Sequence, residues 1–468
     1  MAQATPVVQT PAKFGFKYKI AWGIAALGTS FISGTFSALL TIFYQDYLGL
    51  TSKWIALASL IYAIWNAVND PLFGYITDGT RSKHGRRIPY MRFTAPFLAL
   101  TFVLVWLVPH GATNQLMFVW MLGAMLLYDT CYTIIGLVYS ALLPEVTESD
   151  AERNGLQISS SLFGLLGMLL GFIVPDIVRP KGADVSLLPL QISMAAVAVF
   201  SMVCILITAN NVKERPEFTQ VDQPLGFWPS IKFTFTSKSF LILVAQNFMS
   251  ILMSSLVLAM IFYLADYVLK INTMLVLAFL FIPLIAGVPV TNVFRKRFGV
   301  AGAQQIFLLI AGVGLVAMAF VPNWLMLPCI SLAGFGLAGP QTLTNVLFAQ
   351  VADEDETRSG VRREGAFFGV NALLTKPAQS IAIALVPFIL EITKFVTRAA
   401  NGGETFMDQP ASAIFGIKAL IGLIPGVAML LGAALLFLFP LRGAHLKEIQ
   451  DKVLVMHAEK TAKLQEMQ

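Results

Sequence analysis

Apolar residues run along this chain in blocks of twenty or more, broken by short stretches rich in Arg, Lys, Asp and Gly. A membrane crossing needs about 20 mostly apolar residues. Twelve blocks meet that length: 20–44, 53–78, 90–109, 115–141, 156–176, 188–209, 239–266, 272–293, 302–321, 323–349, 364–392 and 412–440. The pattern predicts an all-α polytopic membrane protein in two six-helix halves. The N-terminal half is 1–209 and the C-terminal half 239–440. A connector (210–238) joins them, and a tail (441–468) follows that reads as an amphipathic helix.

Composition agrees. Of 468 residues, 57% are hydrophobic and 12% charged, about half the charge of an ordinary soluble chain. The net charge of +6 is distributed by side, so it reports topology and not nucleic-acid binding. Arg81, Lys83, Arg86, Arg87, Lys213, Arg215, Arg295, Lys296, Arg297, Arg358, Arg362 and Arg363 fall in the even-numbered loops. The odd-numbered loops hold only scattered Lys53, Arg179, Lys181, Lys270, Lys394 and Arg398. The positive-inside rule then places both termini in the cytoplasm of a multi-pass plasma- or inner-membrane protein. Residues 1–19 lack the short apolar core of a cleaved signal peptide. Cys131, Cys204 and Cys329 sit in apolar runs without metal or redox spacing, which suits inert thiols.

The halves echo each other: RSKHG (81–85) is matched by RKRFG (295–299), and EVTESDAER (145–153) by VADEDETRSGVRRE (351–364). Two such halves with a substrate held near the midplane suit a secondary transporter. No P-loop is present to support direct ATP drive. His84, His110, His445 and His457 all lie away from the membrane centre, with no metal or nucleophile constellation, so an enzyme is not expected.

Charges inside the spans are costly and become functional candidates. Asp70 is followed by Pro71, which removes a backbone donor and favours a kink. Asn66 precedes Asp70 by one turn on the same face. A carboxylate with amides at helical spacing suits a small hard cation or a proton; a structural pairing is the alternative. Asp129 in span 4 reaches a depth similar to Asn66 at about 1.5 Å per residue; a structural role stands beside an ion or substrate role. Lys376 in span 11 needs a counter-charge, and Asp70 and Asp129 are the mid-membrane carboxylates of the other half. Near the predicted cytoplasmic face, Asp78, Arg81 and Arg87 stand opposite Asp353, Asp355 and Arg363 as a candidate gate that breaks and reforms; solvated loop charges are the alternative. Glycine stretches GLLGMLLG (164–171) and GFGLAG (334–339) suit close helix packing.

NDPLFGYITDGTRSKHGRRIP (69–89) resembles the span 2 and loop 2 signature of the glycoside–pentoside–hexuronide:cation symporters, the melibiose permease branch of the major facilitator superfamily. YSALLPE (139–145) and DEDETRSGVRREGAFFGV (353–370) resemble two further stretches of that family. The resemblance implies the major facilitator fold and makes Asp70 the cation-site aspartate and Lys376 the span 11 lysine. Asn66 and Gly136 stand where the sodium-coupled melibiose permease has aspartates. Ser30 and Ser161 stand where a sugar-binding aspartate and an arginine are expected. Ser30, Tyr132, Gly136, Ser161 and Asn371 are the substrate-cavity candidates. The implied activity is cation-coupled import of a sugar, glycoside or related small solute. Sodium (at Asp70 and Asn66) and the proton stay open as coupling ion; the loss of two carboxylates favours the proton. No other cofactor is expected, and the partners are the solute and the bilayer around a monomer. The alternatives are a lysophospholipid or amphiphile symporter and a non-transporting membrane sensor.

Overall fold

The computed structural model describes residues 13–41, 43–44, 48–82, 85–109, 111–178, 187–215, 234–396 and 408–467. Most of the connector (216–233), the loop charges Lys83, Arg179, Lys181 and Arg398, and His84 and His110 lie outside the described residues.

Six helices come first: α1 (Phe16–Thr41), α2 (Ser52–Gly79), α3 (Ile88–Trp106), α4 (Asn114–Val146), α5 (Asp150–Val178) and α6 (Leu188–Asn211). The second series is α7 (Lys238–Tyr263), α8 (Thr273–Phe320), α9 (Asn323–Ser359), α10 (Glu364–Ile392), α11 (Ala411–Lys418), α12 (Ile424–Leu435) and the tail helix α13 (Gly443–Met467). A π-helical turn over Ala419–Leu423 joins α11 to α12 in one traverse. Among the described residues, eight helices are long and apolar enough to cross a membrane.

Helix starts follow local chemistry. Thr113 Oγ1 accepts from the Leu116 N–H, Ser237 Oγ from Phe240 and Asn272 Oδ1 from Met274, each satisfying an otherwise unpaired first-turn donor. The range of α8 covers two predicted spans, two helices that meet at a kink. Gly299 breaks it at φ 73°, ψ 177°, a left-handed turn that glycine adopts without steric cost. α9 continues past its predicted end, so VADEDETRS is helical.

The chain divides into two compact units. The first holds Met1–Thr234, Ala352–Leu373 and Ile449–Gln468; the second holds Phe235–Val351 and Leu374–Glu448. A segment from the second half of the sequence, and most of α13, thus belong to the first unit. In that unit α1 packs on α5 through the predicted glycines: a Cβ on Gly171 would stand 2.8 Å from Gly34 Cα. In the second unit the GFGLAG glycines do the same work, with Gly336 against Ala311 and Gly339 against Phe307.

α2 shows how the sequence sets orientation. Leu57, Leu60, Ile64, Val68, Leu72 and Ile76 recur every three or four residues and are all exposed, which gives one helix face to lipid. Asn69, Asp70, Thr77 and Asp78 are buried.

Candidate functional site

The polar residues of the first unit form two groups. One lies within the spans, along the seam between α2 and α4. Tyr62, Trp65 and Asn69, at i, i+3 and i+7, meet Asp129, Thr130 and Thr133. The Tyr62 hydroxyl donates to Asp129 Oδ1 at 2.9 Å, and Asn69 Nδ2 donates to Asp129 Oδ2 at 2.6 Å and to Thr133 Oγ1 at 3.2 Å. Trp65 Nε1 donates to Thr130 Oγ1 at 3.0 Å. Asp129 is 2% exposed and Asn69 wholly buried. The Asn69 carbonyl oxygen Oδ1 is buried with no hydrogen-bond partner, an unusual expense for a polar atom in an apolar surround.

Asp70, 8% exposed, occupies the next position on α2. Tyr62 lies within electrostatic reach of both Asp70 and Asp129. Behind Asp70 the start of α10 comes to backbone distance: a Cβ at Gly369 would stand 2.7 Å from the Asp70 carbonyl oxygen and 2.9 Å from Pro71 Cα. Glycine at 369 lets the two helices meet there, beside the proline that interrupts the α2 ladder.

The other predicted residues are distributed around this seam. Asn66 is half-buried one turn before Asp70. Ser30 is half-buried on α1, where a Cβ on Gly164 of α5 would stand 3.4 Å from its hydroxyl. Ser161 is buried on α5. Tyr132 stacks on Tyr128 at 5.9 Å, and Tyr128 on Phe36 at 4.4 Å. A Cβ at Gly136 would meet open space. Asn371 is half-buried on α10 in the first unit; Lys376, also half-buried, lies further along α10 in the second unit. Asn69, Tyr62 and Thr133 enter the group through helix phase and an interhelix contact.

The second group is an ion-pair cluster at the ends of α2, α4 and α9 and the starts of α3, α5 and α10. Arg86, Arg87, Arg153 and Arg362 are each 2% exposed or less, so these are buried charges and not solvated loop residues. Arg86 donates to Glu145 at 3.0 Å, to Glu364 at 2.8 Å and to the Arg362 carbonyl at 3.1 Å. Arg87 donates to Glu145 at 2.9 Å, to Thr77 Oγ1 at 2.7 Å and to Asp78. Asp78 in turn accepts the backbone N–H groups of Gly365 and Ala366 at 3.0 and 2.8 Å, capping the N-terminus of α10 with a favourably placed negative charge. Arg153 holds Asp353 with two bonds of 2.6 and 3.0 Å. Arg363 holds Asp355 at 2.6 Å. Arg362 reaches Glu356 at 3.0 Å, Asp353 at 3.3 Å and the Pro144 carbonyl at 3.1 Å, besides Glu364. Arg81 is exposed.

α13 closes the cluster with one stripe. Ile449, Val453, His457 and Lys460 are buried. His457 Nδ1 lies 2.7 Å from Glu148 and Nε2 lies 2.8 Å from Glu356, to which Lys460 also donates at 2.7 Å. Burial opposes ionisation of Glu148 and Glu356. His457 and Arg215 beside the first, and Arg362, His457 and Lys460 beside the second, outweigh it and hold both carboxyls well below the usual range. For Asp355 burial wins over Arg363, and its carboxyl is pushed up to about 6.

Buried carboxylates and amides inside spanning helices, with a separate buried ion-pair cluster at the helix ends, define a membrane transporter architecture. The solved structures agree on the fold. The fucose:proton symporter of E. coli superposes with a TM-score of 0.67 at 12% identity, covering 91% of this chain and 98% of that one, which shows the major facilitator fold of twelve helices in two halves. The family model described as MFS/sugar transport protein matches residues 21–443, and the chain belongs to that family. It is 26% identical to the uncharacterized symporter YjmB of Bacillus subtilis (96% of this chain, 98% of that one). It is 24% identical to the isoprimeverose transporter of Lactiplantibacillus pentosus (86% and 87%). The resemblance to the glycoside–pentoside–hexuronide:cation symporters stands.

Proposed function

We propose that this protein imports a sugar, glycoside or related small solute together with a cation, by alternating access, with Asp70 and Asp129 as the charged members of the cation site. The observation that carries this is the α2–α4 seam, with the buried Asp129 carboxylate, a buried amide oxygen on Asn69 without a partner and the Thr133 hydroxyl beside it, next to the buried Asp70 at the following position of α2. Carboxylate, amide and hydroxyl oxygens are the donor set of a hard monovalent cation, and a carboxylate alone takes a proton. Charge at the site is low, with Asn66 and Gly136 in place of carboxylates, and cation affinity rises with ligand charge. This favours the proton over sodium.

Lys376 responds to arrival of the cation, and the ion-pair cluster, cytoplasmic in our reading, breaks and reforms as access alternates. The protein works as a monomer with both termini in the cytoplasm.

The test is uptake into proteoliposomes under a sodium gradient and a proton gradient applied separately. Substrates come from a thermal-shift screen of sugars, glycosides and lysolipids. We expect accumulation with one gradient. Equal uptake with neither gradient removes the coupling claim, and a shift with lysolipids alone redirects the substrate class.

A further inference from the structure

Glu214 is the first acidic residue after α6, at the mouth of the connector, and none of the roles given above uses it. Its carboxylate accepts three consecutive backbone N–H groups: Arg86 at 2.6 Å, Arg87 at 2.8 Å, and Ile88. They lead into the 19-residue helix α3, whose N-cap is Arg87 and whose first residue is Ile88, and the helix dipole favours an anion there. The approach depends on Gly85. Its φ is +100°, and a Cβ there would stand 2.5 Å from the Glu214 carboxyl carbon, so any side chain at 85 would displace the carboxylate.

Two of the three amides belong to Arg86 and Arg87, whose side chains build the core of the ion-pair cluster. Arg86 and Arg87 face Glu145, Glu364, Asp78 and Thr77 through their guanidinium groups and Glu214 through their backbone. The next residue, Arg215, pairs with Glu148 on the α4–α5 turn, and Glu148 meets His457. Residues 214 and 215 therefore fasten the connector to both sides of the cluster.

We propose that Glu214 is a positioning residue for the arginine pair: by capping α3 through the N–H groups of Arg86, Arg87 and Ile88, it sets the direction in which both guanidinium groups enter the cluster, and so couples the connector to the access change. The transport consequence rests on the symport reading; the positioning does not. Burial and the neighbouring Glu145 push the Glu214 carboxyl up, against the pull of the three N–H groups. A glutamine here offers one acceptor oxygen for three donors and turns an NH₂ group toward the rest.

Hydrogen exchange on the purified full-length protein tests this, comparing wild type with Glu214→Gln and Gly85→Ala. The second variant leaves the carboxylate in the chain but expels it from its seat. We expect amides 86–88 to exchange at least tenfold faster in both variants, with α1 and α5 peptides within twofold of wild type. In proteoliposomes, Vmax should change by threefold or more while KM stays within twofold. Exchange at 86–88 that rises less than twofold, or rises equally throughout the chain, overturns the positioning role. A KM change matching the Vmax change assigns Glu214 to the substrate site and overturns it too. If wild type shows no gradient-driven uptake, the symport reading fails, and the exchange result still decides the role of Glu214.

Discussion

Asn69 donates its side-chain amide to Asp129 at 2.6 Å, across the seam between α2 and α4, while its own carbonyl oxygen lies buried and unpaired. One residue thus steadies a buried carboxylate and presents a free acceptor beside it. Asn69→Ala removes both functions. A hydrogen bond to a charged group contributes about 1.5–3 kcal/mol, so cation affinity should fall roughly tenfold to a hundredfold. Cation dependence of uptake measures this. An unchanged half-saturating cation concentration would mean that the seam is structural only.

Asp70 is the second carboxylate, held at the point where α10 backs onto α2. Asp70→Asn keeps its size and removes its charge. Gradient-driven accumulation should disappear, while exchange of internal for external solute continues. Accumulation at the wild-type level would exclude Asp70 from coupling.

The contrast between Asn66 and Asn69 shows what a single sequence can resolve. The lipid-facing stripe from Leu57 to Ile76 is visible in the sequence, and by helix phase it puts Asn66 and Asp70 on the opposite side. It does not reveal which helix stands on the flank, and Asn69 acquires its role from α4 alone. The twelve apolar runs were legible because lipid constrains composition over whole helices. The ion-pair cluster was legible only in outline. Its two loops match in sequence, yet Arg153 and Asp353 are 200 positions apart, and neither burial nor partner choice follows from local pattern. The continuation of α9 through VADEDETRS was hidden for a related reason: its acidic residues read as a solvated loop until Arg362, Arg363 and His457 were there to pair with them.

Removing one member of a buried pair strands the other. Asp353→Ala leaves Arg153 without its bidentate partner and Arg362 with one fewer, a loss of about 3–5 kcal/mol for an isolated pair. Exchanging the charges, with Arg153→Asp and Asp353→Arg together, should recover part of that loss. Thermal unfolding of the single and double variants measures the coupling. Additive losses in the double variant would show that the pair contributes no mutual stabilisation.

The cluster carries carboxyls shifted in opposite directions, so acid should act on it in two stages. Asp355 has a folded value of about 6 because burial outweighs Arg363 and Arg358, with Glu364 adding to the rise. An unfolded aspartate titrates near 3.9, so the folded state binds this proton more tightly. Falling pH from 7 toward 4 therefore favours the folded state through this group, by up to about 1.4 kcal/mol per pH unit. Glu148 and Glu356 have folded values below the unfolded one near 4.3. Their stabilisation is complete above the unfolded value and is lost as pH falls through the folded values, well into acid. Between pH 7.5 and 5.5 the difference between wild type and a variant neutral at 355 isolates the Asp355 step. Asp355→Asn fixes the neutral form, so the wild-type Tm should rise relative to this variant across that interval. Below pH 4 the two should fall together. Parallel Tm curves from pH 7.5 to 5.5 would place the Asp355 carboxyl in the ordinary range and leave Arg363 in control of its charge.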